Sequence, residues 1–137
     1  MIWTGRVTLS SDASGDATAS LTGVPTGEVL GIYVVNSADA QPSDNWDLTV
    51  RNTNVSGGST AVPNKILVDE SVSQAVTDVI RYHPTIEGNL SSDGSAQTLN
   101  DNIRILNMKT TVDFIGANMG ASKKAYVTLF IKYWRCG

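Results

Sequence analysis

By residue type, the side chains best suited to nucleophilic or metal chemistry are a single histidine, His83, and a single cysteine, Cys136. A Cys/His nucleophile pair needs the two groups within hydrogen-bond reach. Here His83 precedes a proline and Cys136 sits beside the last residue, so nothing in their spacing brings them together. A lone imidazole also falls short of the histidine pair that marks metal-dependent enzymes on small β folds. No G-x-S-x-G elbow is present to raise a serine into an exposed, strained turn. Acids gather at Asp12 and Asp16, and again at Asp39, Asp44 and Asp47. Calcium requires many oxygen ligands at close spacing, and D-N-W-D offers an interrupted set broken by Trp46. Gly57-Gly58 and Gly116-x-x-x-Gly120 lack the Lys-Ser/Thr and the strand-to-helix setting of a phosphate cradle, and read as turns. The expectation is a non-enzymatic chain with no catalytic residues, no metal and no cofactor.

Recognition chemistry is better represented. Trp3, Trp46 and Trp134 can each serve as a core anchor or as an anchor in a protein interface. Trp46 alternates with Leu48 and Val50 against Asp47, Thr49 and Arg51, which places it in the core of a half-buried strand. Were it exposed beside Asp44 and Asp47, it would be the one candidate for stacking on a sugar in a carbohydrate- or receptor-binding module. In the last strand Val127, Leu129, Ile131 and Tyr133 form the inward stripe. Tyr126, Thr128, Phe130, Lys132 and Trp134 then lie opposite. That leaves a second apolar row to cover, the usual mark of an oligomer or an assembly component. A homodimer or homotrimer is expected, with the C-terminal strand in the contact.

The elements that carry these residues read as strands throughout. Residues 29–36 are apolar on both faces, with Leu30, Ile32 and Val34 on one and Val29, Tyr33 and Val35 on the other, as in a central strand covered on both sides. With residues 46–51 they form two adjacent antiparallel strands about a Ser/Ala/Asp/Gln/Pro connection. Residues 2–10 put Trp3, Gly5, Val7 and Leu9 on one face; with 17–22 they make a hairpin around the S-D-A-S-G-D turn. Its small inner residues imply close approach of another layer. Residues 66–68, 103–106, 109–115 and 125–135 continue the set, while 52–64 and 85–99 are polar loops. Within 71–82, Val72, Val76, Val79 and Ile80 fit a helical stripe and Val76, Ile80 and Tyr82 fit one face of a strand; a strand from about Val76 suits its neighbours better. About eight strands at this spacing predict an all-β antiparallel sandwich, a jelly roll, occupying 1–137 as one domain with an N-terminal segment 1–6 able to extend.

Composition narrows the class of partner. A net charge of −3 argues against a nucleic-acid binder, which carries surplus cations to replace phosphate counterions. No run of 18 apolar residues is present to cross a membrane. The single cysteine and the absence of a secretory leader pattern point to synthesis in a cytoplasm. Charge is unevenly spread: six acids and no Lys or Arg lie between Arg6 and Arg51, whereas Lys123, Lys124, Lys132 and Arg135 close the chain without an acid. If the two regions face opposite ways, copies or neighbours can meet with complementary fields.

The succession G-R-V-T-L-S-S-D-A-S-G-D-A-T-A, V-L-G-I-Y-V-V, P-S-D-N-W-D-L-T-V, K-I-L-V-D and Y-H-P-T before a basic-aromatic closing strand resembles small structural proteins of tailed bacteriophages, the capsid decoration or cement proteins. The resemblance spans most of the chain, in strand and turn patterns rather than catalytic motifs. It implies a jelly-roll domain on the outer capsid surface, made in the host cytoplasm. Its partners would be the major capsid protein and further copies of itself. The interface residues it implies, together with the apolar rows above, are Met1, Ile2, Trp3, Arg6, Phe130 and Trp134.

Overall fold

The structure, a computed structural model of the chain, describes residues 1–52, 65–73, 79–82, 106–107 and 110–133, with 65–66 and 79–82 described by backbone only. The regular elements among them are all strands: β1 (Ile2–Ser10), β2 (Ala17–Leu21), β3 (Gly27–Asn36), β4 (Trp46–Asn52), β5 (Lys65–Val72), β6 (Val79–Tyr82), β7 (Leu106–Asn107), β8 (Val112–Ala117) and β9 (Lys124–Lys132). The loops read at 52–64 and 85–99 lie, but for Asn52, outside the described residues, as do His83, Trp134 and Cys136. Two antiparallel sheets build a β-sandwich. The front sheet runs β1-β9-β3-β6, with β7 also on β3, and the back sheet runs β2-β8-β4-β5.

Period-two alternation decides which residues meet between the sheets. Leu9, Ile32, Val34, Val127, Leu129 and Ile131 from the front join Trp46, Leu48, Val50, Val68, Val72, Val112 and Phe114 from the back in one core. Alternation does not decide partners, and here the expectations need correcting. Residues 2–10 and 17–21 do not form a hairpin: β1 pairs β9, and β2 pairs β8. Nor are residues 29–36 and 46–51 neighbours, because β3 pairs β9, β6 and β7 while β4 pairs β5 and β8.

The turn after β1 shows the cause of the first correction. Ser11 donates its amide to the Lys123 carbonyl at 2.8 Å and receives the Lys123 amide on its Oγ at 2.7 Å. Its hydroxyl in turn donates to the Gly120 carbonyl. Asp12 Oδ1 accepts the amides of Ser14 at 2.8 Å and Asp16 at 3.0 Å, and Met119 donates its amide to the Gly15 carbonyl at 3.0 Å. The turn is thus bound to the β8–β9 loop and carries the chain from one sheet to the other. The 37–45 loop joins the same end: Ser43 donates to the Met119 carbonyl at 2.8 Å, and Lys124 to the Ala40 carbonyl at 2.9 Å.

A second correction concerns β3. The register against β9 shifts between Val29 and Gly31. A bulge inserts one residue and reverses the alternation beyond it. Val29 therefore shares the core face with Ile32 and Val34, all three buried, and Leu30 falls among the half-buried residues with Tyr33 and Val35.

Candidate interaction face

The back sheet presents a polar outer surface. By register, Thr18 and Ser20 of β2, Asp113, Ile115 and Ala117 of β8, Asp47, Thr49 and Arg51 of β4 and Asp69 of β5 lie on it. Ser20 Oγ donates to Asp113 Oδ1 at 2.6 Å, and Asn118 Nδ2 to Asp47 Oδ2 at 2.6 Å. These carboxylates are engaged by neighbours of their own chain.

The front sheet is different. Its outer face is built in cross-strand rows: Thr4 with Phe130, Arg6 with Thr128 and Tyr33, Thr8 with Tyr126 and Val35. Tyr33, Val35, Tyr126 and Phe130 are each half-buried, so part of an aromatic surface faces outward. The Arg6 guanidinium lies 4.6 Å from the centre of the Tyr126 ring. A cation over a ring at this distance holds both side chains to the sheet, an attraction of about 0.5–1 kcal/mol at an exposed site.

The six residues expected at an interface divide on inspection. Phe130 and Arg6 share the front outer face. Met1 and Ile2, 56% and 63% exposed, end the same strand pair. Trp3 does not belong with them. Its indole turns inward along β1 over Gly5, against Leu21 of β2, and packs on the core. A Cβ on Gly5 would stand 2.8 Å from Leu21 Cδ1 and would collide with the indole itself. Gly5, one of the small inner residues of this region, therefore makes room for Trp3. Trp134 lies outside the described residues.

Residues 1–6 form no arm in the isolated chain. Ile2 to Ser10 pair continuously with Lys132 to Lys124. Beyond that register the Met1 ammonium donates to the Tyr133 carbonyl at 3.2 Å, and the Tyr133 amide donates back to the Met1 carbonyl at 3.0 Å.

Trp46 is fully buried, and its Nε1 donates to Asn36 Oδ1 at 3.1 Å. It cannot stack on a sugar, so the carbohydrate-binding alternative loses its aromatic anchor. Asn36, itself 3% exposed, donates from Nδ2 to the Ser73 carbonyl at 3.1 Å and so links β3 to the back sheet. At the other end Asn52 donates to Asn107, whose Nδ2 donates to the Pro25 carbonyl at 2.8 Å. Sequence reasoning did not single out these buried asparagines. Their one signal is a polar residue in register with the apolar stripe, as Asn52 is with Trp46, Leu48 and Val50.

Among the described residues no group of three His, Cys, Asp or Glu side chains is close enough to hold a metal. Asp12 is the one acid there with a clear electrostatic displacement: the amides of Asp16 and then Ser14 hold its carboxyl below the usual 3.8. Those bonds fasten a turn, which is a structural duty. No protein-family model matches the chain, and no curated protein or solved structure matches it.

Proposed function

We propose that this chain is a capsid decoration protein of a tailed phage, a non-enzymatic virion component that binds the outer surface of the shell and braces contacts between coat subunits. The observation that carries the reading is the half-buried aromatic row of Tyr33, Tyr126 and Phe130 on the front sheet, set on a sandwich whose other outer face is polar. Such a row fits a protein partner. The sequence resemblance supplies the kind of partner, a coat protein. The jelly-roll topology expected of that family is supported by the strand order. With β6 and β7 counted as one position on β3, first pairs with last (β1 with β9), second with second-last (β2 with β8), then β3 with β6/β7 and β4 with β5.

A bracing protein acts by mass action. Binding the expanded shell in preference to the unexpanded one stabilises the former by RT ln(1 + [L]/Kd) per site, about 2.7 kcal/mol at a hundredfold excess over Kd. Many such sites act together.

The test is co-sedimentation of the full chain with expanded and with unexpanded heads of the phage that encodes it, followed by the temperature at which decorated and bare heads release their genome. Binding to expanded heads, a raised release temperature and loss of both with Phe130→Asp are expected. A chain that sediments equally with both forms, or leaves the release temperature unchanged, refutes the reading.

A further inference from the structure

Among the described side chains of the strands, the two outer faces of the sandwich carry opposite charge. On the front face Arg6, Lys124 and Lys132 share the side of Phe130 and Tyr126, because the β1–β9 register places Thr4, Arg6 and Ser10 opposite Phe130, Thr128 and Lys124. Glu28, opposite Lys132, is the one acid among the described side chains of that face on β1, β3 and β9. On the back face Asp47, Asp69 and Asp113 stand with Arg51 as the one described cation. Among the described side chains of the strands, cations thus predominate on one outer face and acids on the other, with the aromatic row on the cationic side.

From this separation we infer which way the protein sits and what it sits on: the front face docks onto a protein surface in which carboxylates surround an apolar patch, and the acidic back face points away. The inference rests on the shell-binding reading and specifies the partner surface of that same face.

Copies of the chain are poor occupants. A two-fold contact of front face on front face sets Arg6, Lys124 and Lys132 against themselves, which costs affinity through like-charge repulsion. Front on back matches the charges, but the two faces point in opposite directions, so that contact repeats without closing and yields an open stack. An acidic surface on a separate protein meets the cations without either penalty. The aromatic row supplies apolar contact at the centre, with the lysines at the rim at both ends of β9.

The experiment measures binding of the full chain to expanded heads at low and high salt, with circular dichroism confirming that each variant is folded. Rim charges of this kind are screened within a Debye length of about 10 Å at 0.1 M salt, so affinity is expected to fall roughly tenfold between about 0.05 and 0.5 M. Lys124→Glu with Lys132→Glu is expected to weaken low-salt binding by about tenfold or more, while Asp47→Lys with Asp69→Lys leaves it within about twofold. A wild-type chain that binds no head at any salt overturns the shell-binding reading and this one with it. Binding that is lost in the aspartate variant and kept in the lysine variant overturns the orientation alone. A stable dimer of the free chain that Phe130→Asp dissociates assigns the front face to a second copy and likewise overturns the orientation.

Discussion

Asn36→Leu is the sharpest perturbation of the fold. The side chain is 3% exposed; it receives the Trp46 indole N–H at 3.1 Å and donates to the Ser73 carbonyl at 3.1 Å. Leucine of similar volume makes neither bond. The Trp46 N–H, on a fully buried ring, is then left without Asn36 as its acceptor. An orphaned buried donor costs about 1–3 kcal/mol, and the half-exposed Ser73 carbonyl adds less because water can reach it. A loss of about 2–3 kcal/mol follows. At about 2.1 cal/mol/K of unfolding entropy per residue, a chain of 137 residues shifts its Tm by roughly 3–4 °C per kcal/mol, so a drop of about 7–10 °C is expected. Trp46→Phe in turn takes the indole N–H away from the Asn36 oxygen. In the double variant neither group is left behind, and a favourable coupling of about 1–2 kcal/mol is expected from chemical unfolding of the four proteins. Single effects that simply add, or a Tm drop below about 2 °C for Asn36→Leu, refute the claim that this bond joins the two sheets.

Three further outcomes follow from the same geometry. Gly5→Val forces the Trp3 indole off β1 and is expected to cost about 1–3 kcal/mol, read as a lower urea midpoint with a shift in tryptophan emission. Arg6→Ala removes the cation over Tyr126 and is expected to cost about 0.5–1 kcal/mol with the fold intact by circular dichroism. The Asp12 carboxyl is expected to titrate below 3.8 by NMR, because the amides of Asp16 and Ser14 favour its charged form. Its contribution is therefore complete above the unfolded value and lost as pH falls through the depressed folded value; Asp12→Asn, which keeps an acceptor oxygen, removes that pH dependence.

The faces of individual strands were legible in the sequence, because alternation is local. Trp46, Leu48 and Val50, and Val127, Leu129 and Ile131, lie in the core as their spacing requires. Partners were not legible, since a period of two says nothing about which strand lies alongside. S-D-A-S-G-D has the composition of a hairpin turn, yet Ser11 and Asp12 spend their hydrogen bonds on residues 120–123 and on the turn itself, and the chain leaves for the other sheet. Gly31 within an apolar strand was the visible trace of the bulge, but where the alternation reverses depends on the register with β9. Of the interaction face, Phe130 could be read from the stripe opposite it. Trp3 could not be assigned, because its direction is set by the space above Gly5. The opposition of charges across the sandwich appears only once β1 and β9 are side by side.

The position of β9 between β1 and β3 also governs when the molecule can form. Both of its neighbours precede it by most of the chain, Ser10 pairing with Lys124 and Asn36 with Ala125. During synthesis the front sheet therefore lacks the strand between β1 and β3 until residues 124–132 clear the ribosome; β1 must wait unpaired, and β3 has only β6 and β7 to pair with. Contacts of such long sequence separation place folding in the slow, millisecond-to-second range of β proteins. Nascent chains stalled before residue 124 are then expected to be protease-sensitive throughout the front sheet, and release of the last strand to be the event that confers resistance.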